Sequence, residues 1–118
     1  ENETQLSTHP LRGALFENMV VNEMMKERIN QGKDPNLYFY RDQSQREIDV
    51  IRTNANYLEA YEIKSGMSYN SDYYKWINYF KKLMDGRVTR SAVIYDGQSE
   101  NDYKDNGLYN FRNFRLDE

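Results

Sequence analysis

The spacing of apolar residues predicts a long helix near the start of the chain. Leu11, Leu15 and Met19 recur at helical intervals within a stretch that holds one glycine and no proline. Gly32, which follows this stretch, is typical of a helix end. We therefore expect a helix over residues 11–30.

Alternating apolar and polar positions follow, and they predict β-strands. Three segments rich in β-branched and aromatic residues are separated by two short polar turns. Because short turns join neighbouring antiparallel strands, these segments predict a three-stranded meander. The strands are expected at residues 37–41, 47–52 and 57–64.

The second half of the chain returns to a helical pattern. Trp76, Ile77 and Phe80 form an apolar stripe within residues 71–85, which Ser71 opens as a helix cap. A strand, a polar loop and a last strand are then expected at residues 91–95, 98–107 and 108–114. A helix of this length permits a crossover to a parallel strand. The order α-β-β-β-α-β thus predicts a compact α/β domain with a mixed sheet flanked by helices.

Composition narrows the class of protein further. The length of 118 residues corresponds to one domain, expected over residues 11–118 after a polar tether at residues 1–10. No cysteine and a single histidine exclude disulfide scaffolds and thiolate or histidine-rich metal sites. Any metal would need oxygen ligands, which suit Mg²⁺, Mn²⁺ or Ca²⁺. Without a signal sequence or an apolar run near the ~20 residues of a membrane span, we expect a cytoplasmic protein.

The formal net charge of −3 is unevenly distributed along the chain. Residues 64–90 carry six basic and two acidic side chains, between two acidic flanking segments. Such a basic segment is either a solvated helix face or a surface that meets nucleic-acid phosphates. The charge pattern alone leaves both interpretations open.

Strand alternation places acidic residues next to apolar ones in the second strand. Glu47, Asp49 and Ile51 are expected on one face, with Ile48 and Val50 on the other. Charged side chains on a buried strand face are costly unless they pair or bind a metal. Asp49 is therefore a candidate for chemistry.

Two further elements bring charged groups toward Asp49. In the third strand, Glu62 and Lys64 share a face, so the three side chains are expected to meet at one end of the sheet. On a helical wheel, Glu17 has apolar neighbours and is expected to face inward. Each residue taken alone is usually solvated or ion-paired, and an ion-pair network without chemistry remains an alternative.

These residues carry a resemblance to a known superfamily over roughly residues 10–96. Asp49, followed by Glu62-Ile63-Lys64, resembles the D…(D/E)-x-K signature of the PD-(D/E)XK nucleases, and Glu17 matches their acidic helix residue. Ile48 stands where the name-giving proline would be. The segments around these residues are also similar to a family of uncharacterised domains that lie C-terminal to AAA-type ATPase domains in bacterial and archaeal proteins.

The resemblance implies a restriction-endonuclease-like core and metal-dependent phosphodiester hydrolysis of nucleic acid. Asp49, Glu62 and Glu17 would ligate Mg²⁺ or Mn²⁺, and Lys64 would orient water or stabilise developing charge. It also implies an attached N-terminal ATPase domain as partner. The alternative is a catalytically silent module that binds nucleic acid or protein and regulates that ATPase.

Basic and aromatic side chains near these elements are candidates for nucleic-acid contact. Arg41 lies near the first turn, and Lys75, Lys81 and Lys82 lie on the second helix. Tyrosines near the same helix could stack on bases, although core packing is the preferred interpretation for Tyr73.

Overall fold

The computed structural model describes residues 10–102 and 106–117. These described residues form two α-helices, one short 3₁₀-helix and six strands. In chain order these are α1 (Pro10–Asn30), β1 (Leu37–Arg41), β2 (Glu47–Asn54), β3 (Tyr57–Lys64), the 3₁₀-helix (Ser71–Tyr74), α2 (Lys75–Leu83), β4 (Val88–Tyr95), β5 (Asn101–Asp102) and β6 (Gly107–Asn110). The predicted order α-β-β-β-α-β is confirmed, and two short strands follow it.

The six strands of the described part of the chain form one mixed sheet in the order β1-β2-β3-β4-β6-β5. β1, β2 and β3 are antiparallel neighbours, which confirms the predicted meander. β4 lies parallel to β3, because α2 carries the chain back along the sheet between them. β6 is also parallel to β4, and β5 pairs antiparallel with β6.

A helix covers each face of the sheet, as the mixed α/β architecture predicts. On one face, Val20 and Met24 of α1 pack against Tyr61, Ile94 and other buried residues of the strands. On the other face, the buried residues of α2 pack against the sheet. That second layer includes Ile77, Phe80, Ala60, Val93 and Tyr95. None of the described helices has the length and apolar character needed to cross a membrane.

The first helix buries a different side from the one its most regular apolar residues suggest. Val20 and Met24 are buried, whereas Leu11, Leu15 and Met19 are exposed, Leu15 to 59%. The helix carries apolar residues on both sides, so spacing identifies the helix without identifying its buried side. The predicted tether at residues 1–10 lies outside the described residues, apart from its last residue, which begins α1.

Several element boundaries differ from the sequence-based expectation. β2 extends to Asn54, β4 begins at Val88 rather than at residue 91, and the loop expected at residues 98–107 contains β5. The second helical segment begins as the 3₁₀-helix, and its cap is Asn70 rather than Ser71, because the Asn70 side chain accepts a hydrogen bond from the Asp72 amide. The last strand ends at Asn110 instead of residue 114. There the Phe114 amide donates to the Asn110 carbonyl and closes a turn.

Candidate active site

The acidic residues meet where the pairing of β2 with β3 ends. Backbone pairing runs from Asn54–Tyr57 to Val50–Tyr61. Beyond it, the Ile63 amide donates to Asp49 Oδ2 at 2.8 Å, and the Asp49 amide donates to Glu62 Oε1 at 3.1 Å. Two carboxylates therefore take the hydrogen bonds that strand carbonyls would otherwise accept.

The strict alternation predicted for β2 is wrong at this point. Tyr38 pairs with Ile51 and Tyr40 with Ile48, so β2 has one residue more than β1 over this interval. Ile48 accordingly packs with Ile51, whereas Val50 belongs to the cluster on the α1 face. The carboxylates of Asp49 and Glu62 are held close together because each accepts a hydrogen bond from an amide of the other strand. This happens at a bulge that the sequence pattern does not reveal.

Helix α1 brings the third carboxyl group to the same place. Glu17 is half-buried, and its carboxyl lies within hydrogen-bonding reach of the Asp49 carboxyl. The start of the helix contacts the end of β3, where the Arg12 guanidinium donates to the Ser65 carbonyl at 3.4 Å. The inward orientation expected for Glu17 is what the structure has.

Burial raises the pKa values of all three carboxyl groups, and the charge of Asp49 adds to the shifts of Glu62 and Glu17. Burial, followed by the charge of Asp49, raises the pKa of Glu62 to about 8. The same two causes raise the pKa of Glu17 to about 7. Burial also raises the pKa of Asp49, although the hydrogen bond from the Ile63 amide opposes the shift. The cluster therefore holds protons at pH values where an exposed carboxyl is ionised.

Lys64 is the cation nearest to these groups. Its Nζ lies 3.9 Å from Glu62 Oε2, and it also stands 5.3 Å from the centre of the Tyr73 ring. The Lys64 ammonium thus lies beside the three carboxyl groups of Glu17, Asp49 and Glu62. Glu47 also raises the pKa of Glu17, but its own carboxylate is paired with Arg41 at 2.6 Å. A further positive charge at this site would therefore be stabilised by the carboxyl groups.

The donor atoms of the cluster suit Mg²⁺ or Mn²⁺, because all three acidic side chains offer oxygen ligands. Within residues 10–102 and 106–117, however, no group of three or more acidic or histidine side chains is arranged to hold a metal as it stands. The physical reason is that Asp49 and Glu62 each accept an amide hydrogen bond from the opposite strand. Their carboxylates would have to turn from these amides to hold a cation together.

The other predicted nucleic-acid contacts lie around and beyond this cluster. Arg41 is beside it, through its ion pair with Glu47. Lys75 starts α2 and covers the Trp76 ring at 4.6 Å. Lys81 and Lys82 lie further along α2, about 10 Å from Lys75 at 1.5 Å per residue. Lys81 bonds Asn106 at 3.4 Å, and Lys82 is exposed.

Sequence reasoning missed three residues around the cluster. Arg12 fixes the end of β3, Tyr73 covers Lys64, and Glu47 acts on the pKa of both Glu17 and Asp49. The position of Glu47 two residues before Asp49 could have indicated its role. Nothing in the spacing of Arg12 or Tyr73 could, because both contacts depend on how the helices meet the end of β3.

A cleft lies elsewhere, between α1 and the segment after β6. It measures about 520 Å³ and contains none of the four clustered side chains. Its lining includes Met24 and Phe114 together with both acidic and basic residues.

Comparison with known proteins gives one family. No curated protein and no solved structure matches the chain. A family profile described as a domain of unknown function, DUF4143, matches residues 12–114, which is most of the chain and includes the whole carboxyl cluster. The resemblance to an uncharacterised domain family is thereby confirmed, and the chain belongs to the DUF4143 family of domains of unknown function.

Proposed function

We propose that this domain hydrolyses phosphodiester bonds of nucleic acid with the help of Mg²⁺ or Mn²⁺. The observation that carries the proposal is the meeting of Glu17, Asp49 and Glu62 with Lys64 at the end of the β2–β3 pairing. Glu17 comes from α1, and the other three side chains come from the neighbouring strands β2 and β3. A structural role for one acidic residue would not require the other two.

Electrostatics supports a cation at this position. Bringing carboxyl groups together in a partly buried place raises their pKa values and costs free energy when they ionise. A divalent cation offsets that repulsion and takes oxygen ligands readily. When bound, such a cation polarises a phosphoryl oxygen and makes bound water a stronger nucleophile at neutral pH.

The residues of this chain would divide the remaining work. Asp49 and Glu62 would hold the cation, with Glu17 contributing from α1. Lys64 would place its ammonium against the phosphoryl oxygens, where charge develops during hydrolysis. Tyr73, in contact with Lys64, would fix the position of that ammonium.

A nuclease assay tests the proposal directly. The purified chain should cleave at least one of linear, branched and single-stranded DNA or RNA in Mn²⁺ or Mg²⁺, and not in EDTA. Glu62→Gln and Lys64→Ala should each reduce the rate by about 10² or more. Lys33→Ala, at an exposed lysine outside the site, is the matched control and should leave the rate unchanged. Intact substrates under all these conditions would count decisively against hydrolysis.

A second candidate function is a silent module that regulates an attached ATPase. It is favoured by the hydrogen bonds that Asp49 and Glu62 accept from backbone amides, since these bonds give both carboxylates a structural use. This function predicts that Asp49→Ala leaves metal and partner binding unchanged, whereas Lys81→Glu alters partner binding. The nuclease proposal predicts the opposite result for Asp49→Ala.

A further inference from the structure

The loop that follows β3 displays apolar side chains next to the carboxyl cluster. Residues 65–70 connect Lys64 to the 3₁₀-helix, and within them Met67 is 67% exposed and Tyr69 45% exposed. Large apolar side chains next to a charged site are costly to leave in water, which makes them candidates for contact with a ligand.

This loop is held in place on both sides. The Asp96 amide donates to the Gly66 carbonyl at 3.0 Å, and the backbone of Gly97 comes so close to Met67 that a side chain there would collide with the Met67 carbonyl. The Tyr69 ring also rests against the ring of Tyr74, with centroids 6.2 Å apart. Because these contacts fix the loop, Met67 and Tyr69 are presented on a firm support.

Basic groups flank the same loop. Lys64 precedes it directly, and Arg12 donates to the carbonyl of Ser65 at 3.4 Å. Lys75 follows one turn after the loop, at the start of α2. Stacking side chains beside a small number of positive charges match the bases and phosphates of a single strand.

We propose that Tyr69 and Met67 form a stacking platform for unpaired bases, so that the carboxyl cluster receives single-stranded nucleic acid. The binding surface stands on the loop geometry alone, and only the delivery to a cleaving site rests on the proposed function. A duplex conceals the faces of its bases within its own stack, so it cannot use the platform. Preference for unpaired strands follows from that difference.

The test is a binding measurement without metal, which separates binding from cleavage. Fluorescence anisotropy in EDTA would compare a labelled twenty-nucleotide oligo(dT) with a duplex of equal length. The oligo(dT) should bind about tenfold more tightly or better. Tyr69→Ser should weaken its binding by about 5-fold to 100-fold, the range for losing one stacked base. Tyr69→Phe, which keeps the ring, should stay within about twofold of the parent chain.

Tyr57→Ser is the matched control, because Tyr57 is also about half exposed and lies at the opposite end of β3. It should leave binding unchanged, and Met67→Ser gives a second variant of the platform should Tyr69→Ser fold poorly. Equal losses for the Tyr69 and Tyr57 variants, or equal affinity for duplex and oligo(dT), would overturn the platform. Cleavage that does not depend on Tyr69 would contradict the platform and leave the proposed hydrolysis standing. Binding that depends on Tyr69, without cleavage, would support the platform and contradict the hydrolysis.

Discussion

At the scale of single residues, the pKa of Glu62 is raised strongly by its position in the cluster. Its side chain is almost fully buried, and burial with the charge of Asp49 raises its pKa to about 8. In the unfolded chain the same group has its ordinary value near 4.5. Folding therefore favours the protonated form of Glu62.

This shift predicts a pH-dependent stability. A group whose pKa is raised by folding stabilises the native state below its unfolded value, and that contribution is lost as pH rises through the folded value. Without metal, Glu62→Gln should therefore gain stability relative to the parent chain between pH 5 and pH 9. We expect a gain of about 1–2 kcal/mol, measured by urea unfolding at several pH values. Parallel stability curves for the two proteins would contradict the assigned pKa.

That Glu17, Asp49, Glu62 and Lys64 lie near one another could be predicted from sequence, but the contacts that bring them together could not. The helical wheel predicts the inward orientation of Glu17, whereas the strand alternation used for Asp49 fails at the bulge in β2. The bulge in β2 and the cover that Tyr73 gives Lys64 arise from packing between distant segments. Local periodicity contains no information on such contacts.

At the scale of elements, the segment after β6 fastens α1 to the sheet. Asp117 pairs with Arg28 of α1 at 3.2 Å and with Arg52 of β2 at 2.6 Å, and both arginines are buried. Burial alone would raise the pKa of Asp117, but the hydrogen bonds from Arg52 and Arg28 lower it below its usual 3.8. Asp117 is therefore ionised at neutral pH, and both of its ion pairs are formed.

Removing this carboxylate should be costly, because two buried arginines lose an ion pair, although Arg52 keeps its pair with Glu59 at 3.5 Å. Asp117→Ala should lower the free energy of unfolding by about 2–4 kcal/mol at pH 7. The difference should shrink as pH falls below about 4, since the depressed pKa confers stability only while Asp117 is ionised. Asp34→Ala, at an exposed position, is the control for chemical unfolding. A change no larger than that of the control would contradict the fastening role.

Gly97 supports the loop beside the site. A side chain there would collide with the Tyr95 ring and the Met67 carbonyl, whereas a side chain at Gly66 meets nothing within 4 Å. Gly97→Ala should therefore destabilise the domain by about 1–3 kcal/mol, and Gly66→Ala should cost much less. Thermal unfolding of the two variants measures the difference. Equal melting temperatures would contradict this prediction, because they would show that the loop moves away from an added side chain at little cost.

Element types and their order follow closely from the sequence, while helix orientation does not. The meander and the crossover were predicted because short turns and a helix-length segment leave few topologies. The buried side of α1 could not be predicted, because the helix carries apolar residues on both sides, with Leu15 exposed and Val20 buried. Only tertiary packing decides which side is buried.

At the scale of the whole molecule, the sheet joins an acidic site to a basic helix surface. The carboxyl cluster lies at the end of β3, and Lys75, Lys81 and Lys82 follow α2 away from it. This arrangement is compatible with the proposed binding of a polyanion by a chain of net charge −3, because a cation would neutralise the acidic part of the site. The proposed hydrolysis depends on that cation.

Titration calorimetry with Mn²⁺ at pH 7.0 tests this dependence most directly. The parent chain should bind Mn²⁺ and release protons, since Glu62 and Glu17 keep part of their protons near neutral pH. Asp49→Ala and Glu62→Ala should each weaken binding at least about tenfold, and Glu23→Ala, at an exposed carboxylate of α1, should not. Mn²⁺ affinity that is the same in all four proteins, or no binding by the parent chain, would contradict the assignment of these carboxylates to a metal site.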